Sequence, residues 1–217
     1  MLPECGLSLG AEDAGRWRGR VAELERLLEQ ERHEAGYRVR NILSVIRSIA
    51  RRRDADCIDV DDYHTLLDGR LASFCRAQVA LLRNPKKGVE LGAMVGDELL
   101  AAGMRLDHAH LPAAPLFLSD RAVGIVALVL HELVGLMDDA DDLTVGWNRS
   151  EAVRIDWRAR FGRDAETIDS GFLREIVEQA IRYELSGEGV LQIEDGWLTC
   201  RIVLPVGCDA TGAPPLQ

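Results

Sequence analysis

One predicted helix carries three residues whose side chains could do chemistry: an imidazole, a phenol and an amide. His33, Tyr37 and Asn41 recur every four residues, so they share one helix face. A histidine imidazole can form a high-energy phosphoramidate that passes its phosphoryl group to an aspartate. A tyrosine phosphate ester is far more stable, so we do not expect Tyr37 to act as such a donor. His33 is the candidate acceptor on this face, and the alternative is an exposed helix histidine without a role.

A second group of polar residues lies in an apolar stretch later in the chain. His131 and Glu132 interrupt the run 127–133, and we expect their side chains to pack or form hydrogen bonds within their domain. His108 and His110 alternate on a predicted strand, and two histidines without a third ligand do not predict a metal site. Three serines on predicted helices lack the histidine and aspartate partners that nucleophilic catalysis needs: Ser44, Ser48 and Ser73.

The composition predicts a cytoplasmic protein with a sizeable core. The 217 residues are 47% hydrophobic, and no apolar stretch is long enough to cross a membrane. The start of the chain lacks the basic and apolar regions of a signal peptide. Five scattered cysteines without CxxC spacing predict reduced thiols rather than a disulfide framework or a zinc site. The net charge of −10 argues against nucleic acid as the main partner.

Two amphipathic helices are predicted before a loop at residues 84–88. The first runs from about Gly15 to Arg53, and the second from about Tyr63 to Arg83. One hairpin cannot bury both apolar seams, so we expect two copies to form a four-helix bundle. The alternative is a monomer whose hairpin packs on its own second domain. The seam of the first helix follows a seven-residue repeat and consists of Val21, Leu24, Leu28, Ala35, Ile42, Val45 and Ile49.

After Gly88 the pattern changes to short strands between helices. Such a pattern predicts an α/β sandwich in which helices cover one face of a sheet. We predict helices at residues 91–102, 119–137 and 169–185, the middle one capped by Ser119 or Asp120. The predicted strands are 115–118, 143–147, 152–157, 189–194 and 197–204.

Arginines concentrate in the first helix, although the chain as a whole is acidic. Residues 16–53 carry eleven arginines, whereas much of the acidic excess lies later, as in 138–142. Complementary potentials steer association, so a basic helix suits an acidic protein partner. The alternative is a solvated helix face whose arginines are balanced by its own glutamates.

Three segments together resemble the HWE-type bacterial histidine kinases. Tyr37–Ala50 follows the phosphoacceptor motif of that family, except that Tyr37 stands in place of the acceptor histidine. Gly69–Ala77 resembles the second bundle helix of the family, and Ala127–Leu133 resembles the start of its nucleotide-binding N-box. The order and spacing of the three segments agree with the family, and the likeness covers roughly residues 30–205.

The resemblance implies an α+β protein with two parts. An N-terminal two-helix hairpin would form a four-helix bundle on dimerisation, and a histidine-kinase ATPase-like α/β sandwich would follow it. The implied domains are a disordered N-terminus at 1–13, a helical-hairpin dimerisation and phosphotransfer-like domain at 14–84, a degenerate ATP-binding-like sandwich at 89–205 and a flexible tail at 206–217.

The nucleotide site that the resemblance implies is incomplete. Leu136 stands where the N-box asparagine would bind magnesium, and leucine offers no oxygen ligand to a hard cation. The Trp-x-Glu of the family reads Trp157-Arg158-Ala159, and its Gly-Phe-Gly reads Gly171-Phe172-Leu173. We therefore expect ATP and magnesium binding to be lost. Remaining acidic candidates are Asp138 and Asp139 for the metal and Asp164 and Asp169 for adenine.

These losses predict a catalytically inactive pseudokinase of two-component signalling that acts by binding. A response-regulator receiver domain or a partner histidine kinase would dock on His33, Tyr37, Arg38, Arg40 and Asn41. One alternative is an active histidine phosphotransferase or sensor kinase that uses His33 in a phosphorelay. Alignment of the motif on Tyr37 favours a His33 without a role. Another alternative is a structural coiled-coil adaptor. The degenerate nucleotide site would comprise His131, Glu132, Leu136, Trp157 and Gly171.

Overall fold

Two long helices come first in the chain, and the predicted helices and strands follow in the predicted order, with one further short strand, Val89–Glu90, before them. The computed structural model describes residues 11–51, 60–105, 109–137, 142–160 and 171–209. The helices are α1 (Ala11–Arg51), α2 (Val60–Arg83), α3 (Leu91–Ala101), α4 (Asp120–Gly135), α5 (Gly171–Glu175) and α6 (Ile181–Leu185), with a π-helical segment, Ile176–Ala180, between the last two. The strands are β1 (Val89–Glu90), β2 (Phe117–Leu118), β3 (Thr144–Arg149), β4 (Ala152–Arg160), β5 (Glu188–Glu194) and β6 (Trp197–Pro205). None of the helices in these ranges has the length and apolar character to span a bilayer.

The chain divides into two compact units, Met1–Ser44 and Val45–Gln217, and the boundary falls within α1. The sequence places α2 in a hairpin domain that ends at residue 84. The structure instead groups α2 with the α/β part, because Phe74 and Leu81 of α2 belong to the core of the second unit. A loop in the sequence marks where a helix ends, but it does not show which helix faces pack together.

The second unit contains a four-stranded antiparallel sheet in the order β3-β4-β6-β5. Along β4 and β6, buried residues alternate with more exposed ones, so one face of the sheet is packed and the other faces solvent. This arrangement confirms the predicted sandwich with helices on one face. A separate antiparallel pair joins β1 to β2. The cross-strand pairs on the packed face are Val153 with Leu204, Ile155 with Ile202, Trp157 with Cys200 and Ala159 with Leu198.

Helix α4 is the central element of the core. Every residue from Ala122 to Leu130 is buried, so the helix is covered on all sides, as its almost uninterrupted apolar sequence requires. It packs against α2, α3 and the helical segment 171–185. The N-cap position is Ser119, one of the two residues predicted for it.

The chain after β6 is packed further than the sequence predicts. Cys208 and Asp209 are buried, and Asp209 bridges to Leu118 and forms an ion pair with Arg149. These residues lie within the range predicted as a flexible tail from residue 206, and there the carboxylate of Asp209 is held by an arginine distant in sequence. Residues 210–217 lie outside the described ranges, as do residues 1–10.

Candidate functional site

The five residues predicted to bind a partner lie along α1 in the first unit, and we call them the Tyr37 surface. Tyr37 is 54% exposed, and the side chain of His33 is 79% exposed. Arg40 and Asn41 are also exposed, whereas Arg38 is partly covered. Within this unit, the Tyr37 surface is accessible to a molecule that approaches from solvent.

His33 is oriented by the preceding turn of its own helix. Its Nδ1 lies 3.0 Å from the backbone oxygen of Glu29 and 3.5 Å from Glu29 Oε1. In the tautomer that donates from Nδ1, the other ring nitrogen, Nε2, has a free electron pair. That arrangement presents an imidazole that could act as a nucleophile.

The apolar seam of α1 is uncovered among the described residues of the first unit. Val21, Leu24 and Leu28 are all exposed at the predicted seven-residue repeat, and Trp17 is exposed one turn before them. Large apolar side chains aligned on one stripe of a helix are typical of a surface that packs against another helix.

A second group of polar residues lies between α2, α3 and α4, and we call it the α2–α4 cluster. Its strongest contact is a two-point ion pair. Arg70 Nε donates to Glu132 Oε1 at 2.7 Å, and Arg70 Nη2 donates to Glu132 Oε2 at 3.1 Å. The Arg70 side chain is only 4% exposed, and its guanidinium lies 3.7 Å from the ring centroid of Phe172. The members of the cluster are Arg70, Ser73, Arg76, Glu98, His131 and Glu132.

Glu98 of α3 is the acceptor at the centre of this cluster. Its Oε1 accepts hydrogen bonds from Ser73 Oγ at 2.8 Å and Arg76 Nη2 at 2.7 Å, and its Oε2 lies 3.2 Å from His131 Nδ1. Burial raises the pKa of the Glu98 carboxyl, but the hydrogen bonds from His131, Arg76 and Ser73 outweigh burial and hold the pKa below its ordinary value. Glu98 is therefore a buried carboxylate whose charge is matched by its neighbours.

Two glycines allow the helices that carry this cluster to approach closely. A Cβ on Gly69 of α2 would lie 2.9 Å from His131 Nε2, and a Cβ on Gly124 of α4 would lie 2.6 Å from Phe74 Cε2. Both distances are shorter than ordinary carbon contacts. A side chain at either glycine would therefore force the residue that packs over it to shift.

The α2–α4 cluster joins two of the three segments that carry the sequence resemblance. Gly69 and Arg70 from the second segment contact His131 and Glu132 from the third. Ser73 Oγ of the second segment also lies 3.2 Å from the backbone oxygen of Ala127, which opens the third. These motif residues thus hold α2 against α4.

His131 and Glu132 form hydrogen bonds within the domain, as predicted from the sequence. Their partners on α2 and α3 were not predicted. The regular spacing of Arg70, Ser73 and Arg76 on a helix that must bury one face could have indicated these contacts, since a buried charge needs a partner. The spacing does not tell which acid they meet.

Three described positions of the expected nucleotide site offer no free oxygen ligand. The carboxylate of Glu132 is already engaged by Arg70, and Leu136 at the end of α4 supplies no oxygen. Ala159, at the position of the missing glutamate, is completely buried among apolar residues. Within the described ranges, no three acidic, histidine or cysteine side chains are grouped so that they could hold a metal ion.

The other candidates for the nucleotide site lie in different parts of the fold. Trp157 is a buried core residue of β4, and its indole nitrogen has no hydrogen-bond partner among the described residues. Gly171 begins α5. His110 pairs with β3 through its backbone. The other candidates fall outside the described ranges: His108, Asp138, Asp139, Asp164 and Asp169.

A comparison with known families supports the resemblance drawn from the three segments. Residues 34–110 match the family described as HWE histidine kinase. That range contains the segments at Tyr37–Ala50 and Gly69–Ala77, whereas Ala127–Leu133 lies beyond it. No curated protein sequence matches the chain.

Solved structures give the fold. The blue-light activated histidine kinase of Erythrobacter litoralis EL346 is 18% identical, with a TM-score of 0.51, and the match covers 82% of this chain and 60% of that one. The chain thus spans about 60% of the length of that kinase. The histidine kinase AdeS of Acinetobacter baumannii is 16% identical over 78% of this chain and 97% of that chain, with a TM-score of 0.40. Histidine kinase ThkA in complex with the response regulator TrrA is 13% identical over 94% of this chain and 68% of that chain, with a TM-score of 0.35. The first of these matches confirms the histidine-kinase-like fold.

Proposed function

Starting from a histidine-kinase-like protein of two-component signalling, we propose that the chain acts by binding rather than by catalysis. The observation that carries this proposal is the exposed phenol of Tyr37 at the position of the phosphoacceptor. A phenol at that position forms a stable ester instead of a transferable phosphoramidate. The surface around Tyr37 remains accessible, so a partner can still bind there although no phosphoryl group is transferred.

The second support comes from the N-box. Glu132 is paired with Arg70, and Leu136 cannot ligate magnesium. Both positions lack the free oxygen ligands that a metal–triphosphate complex requires. The proposal is therefore that ATP is not hydrolysed and that no phosphoryl group is generated within this chain.

The partner that suits the Tyr37 surface is a receiver domain or a histidine kinase. A receiver has an acidic active face, and Arg38 and Arg40 offer the complementary charge. Binding would sequester the partner or bias its conformation. Complementary charge would mainly raise the association rate, so binding should weaken as salt increases.

We also propose that the protein binds as a homodimer. In the first unit, Val21, Leu24 and Leu28 form an exposed apolar stripe. In the second unit, α2 has apolar residues on the face opposite its buried side: Ala72, Cys75, Val79 and Leu82 are all exposed. A helix that is apolar on two faces needs a second packing partner, and the matching helices of another copy would provide one.

The geometry of His33 favours one further candidate function. Glu29 engages Nδ1 of this histidine and leaves Nε2 accessible, as an acceptor in a phosphorelay would require. In this alternative, an aspartyl phosphate on a receiver would transfer its phosphoryl group to His33. The receiver would supply the phosphate, so no ATP site would be needed.

The test of the binding proposal is a calorimetric titration of the full chain with purified receiver domains from the same organism. Reversing two charges, in Arg38→Glu with Arg40→Glu, should weaken binding about tenfold or more, since the arginines would then repel an acidic face. The matched control is Arg18→Glu with Arg20→Glu, which makes the same change near the other end of α1 and should leave the Kd unchanged.

Equal Kd values for both double variants would remove the Tyr37 surface from the interface. A stable dimer that binds none of the receivers would favour the structural adaptor. Incubation with a phosphorylated receiver tests whether the chain is instead a phosphotransferase that uses His33. Acid-labile phosphate on the chain that disappears in His33→Asn would establish transfer, and an unlabelled chain would exclude it.

A further inference from the structure

The solvent face of the sheet in the second unit carries a cluster of arginines, which we call the arginine face. Arg154, Arg158 and Arg160 follow one another on β4, and Arg201 lies on β6. All four are exposed. The chain has a net charge of −10, whereas four arginines on this face lie beside Asp156 of β4 and Glu188 and Glu194 of β5.

The sheet fixes the spacing of these arginines. Residues two apart on a strand point to the same face and lie about 7 Å from each other. Arg158 and Arg160 are therefore about 7 Å apart at their backbones, and Arg154 is about 14 Å from Arg158. The register places Asp156 opposite Arg201 and Arg160 opposite Trp197, so β6 widens the charged surface sideways.

Two contacts hold part of this surface in place. Arg201 Nε donates to Asp156 Oδ1 at 2.6 Å, and the guanidinium of Arg158 lies 3.9 Å from the ring centroid of Trp197. Ordered side chains lose less entropy when they bind a ligand. Arg154 and Arg160 form no ion pair with a carboxylate in the described part of the chain, and both side chains are exposed to solvent.

We propose that the arginine face is a docking surface for an extended acidic segment of a partner protein. Alternate side chains of an extended peptide repeat at about 7 Å, which equals the spacing of Arg158 and Arg160. Carboxylates accept paired hydrogen bonds from a guanidinium, so a glutamate or aspartate at alternate positions would meet one arginine each.

The surrounding charges favour an acidic peptide over nucleic acid. Asp156 lies within the row of arginines on β4, and Glu188 and Glu194 lie on the neighbouring edge strand. A nucleic acid backbone carries a charge at every residue and would run over these carboxylates. A peptide can place its few carboxylates on the arginines alone.

This surface is separate from the one in the proposed function. It lies in the second unit and depends on no residue of α1.

The test uses a fluorescein-labelled decapeptide of alternating glutamate and threonine, with binding to the full chain followed by fluorescence anisotropy at low salt. Arg158→Gln with Arg160→Gln should weaken binding at least about fivefold, as expected for two surface charge contacts. The control, Arg174→Gln with Arg182→Gln, removes two exposed arginines from α5 and α6 on the packed side of the sheet. It should change the Kd less than twofold.

Because α1 is also basic, the pair of variants is repeated in the Arg38→Glu, Arg40→Glu background. If Arg158→Gln with Arg160→Gln still weakens peptide binding in that background, the peptide binds the sheet. This conclusion holds whether or not a receiver binds the Tyr37 surface. The inference is overturned if wild type does not bind the peptide, or if the sheet and control variants bind it equally. It is also overturned if a single-stranded oligothymidylate binds more tightly than the peptide through the same arginines.

Discussion

The Tyr37 surface and the α2–α4 cluster differ in how their charges are used. On α1, His33, Tyr37 and Arg40 lie exposed, and apolar side chains of the same helix are exposed with them. In the α2–α4 cluster, Arg70 and Glu98 are buried and their charges are matched by partners within the chain. Residues that resemble the histidine kinases occur in both regions, but they are exposed on α1 and paired within the chain in the α2–α4 cluster.

The comparison distinguishes residues that pack helices together from residues at the positions of the kinase reaction. Gly69, Arg70 and Glu132 fit the family pattern and hold two helices together. Tyr37 and Leu136 depart from the pattern at positions where the family needs a phosphate acceptor and a metal ligand. The residues of the second and third segments thus pack the second unit, and our proposal of a protein that acts by binding depends on Tyr37 and Leu136. Removing a charged side chain from the α2–α4 cluster should therefore lower stability more than removing one from the exposed surface of α1.

The largest effect is expected from Arg70→Met. The change leaves the Glu132 carboxylate, which is 16% exposed, without its counter-charge, and breaking such a buried pair costs about 3 kcal/mol. Urea unfolding of the full chain measures the loss. Arg40→Met on α1 is the control and should stay within about 0.5 kcal/mol of wild type. Equal effects of the two substitutions would show that Arg70 is no more structural than a surface arginine.

Glu98→Gln should destabilise the protein by about 2 kcal/mol at pH 7, because hydrogen bonds to a charged acceptor are replaced by weaker ones. The pKa of Glu98 lies below its ordinary value of 4.5. The stabilisation from its charge is therefore present above about pH 4.5 and is lost as pH falls through the lower pKa of the folded state.

At a pH below that folded-state pKa, wild type carries a protonated Glu98 and should be about as stable as Glu98→Gln. Unfolding free energies of both proteins between pH 3 and pH 7 test this convergence. A difference that stays constant across the range would mean that the charge of Glu98 contributes nothing.

Glycine-to-alanine substitutions should change the free energy of unfolding by smaller amounts, and the change should have opposite signs on α4 and α1. Gly124→Ala places a Cβ 2.6 Å from the buried ring of Phe74, and the resulting overpacking should destabilise the protein by about 1 kcal/mol net. Gly36→Ala on α1 meets no atom within 4 Å, so its higher helix propensity should stabilise by up to about 1 kcal/mol. Thermal unfolding of both variants decides the point, and a stabilising Gly124→Ala would contradict the close packing of α2 on α4.

Local sequence patterns gave most of the elements of this fold. The seven-residue repeat predicted α1, and alternation of apolar residues predicted β4 and β6, whose observed bounds extend the predicted ones by three residues or fewer. The π-helical segment Ile176–Ala180 was not predicted, because its hydrogen-bond shift follows from packing around it rather than from composition. The candidate site was predicted in part, since His131 and Glu132 were singled out without their partners.

The sequence by itself determined the helices, the strands and the identity of the residues at the positions where a histidine kinase does its chemistry. Those features depend on neighbours within a few residues or on a side chain's own functional group. Only the tertiary structure decided that α2 packs with the sandwich, that Arg70 meets Glu132 across 62 positions and that four arginines share one face of the sheet. Such contacts depend on which faces of distant elements are buried together, and the free energy of that burial belongs to the packed chain as a whole.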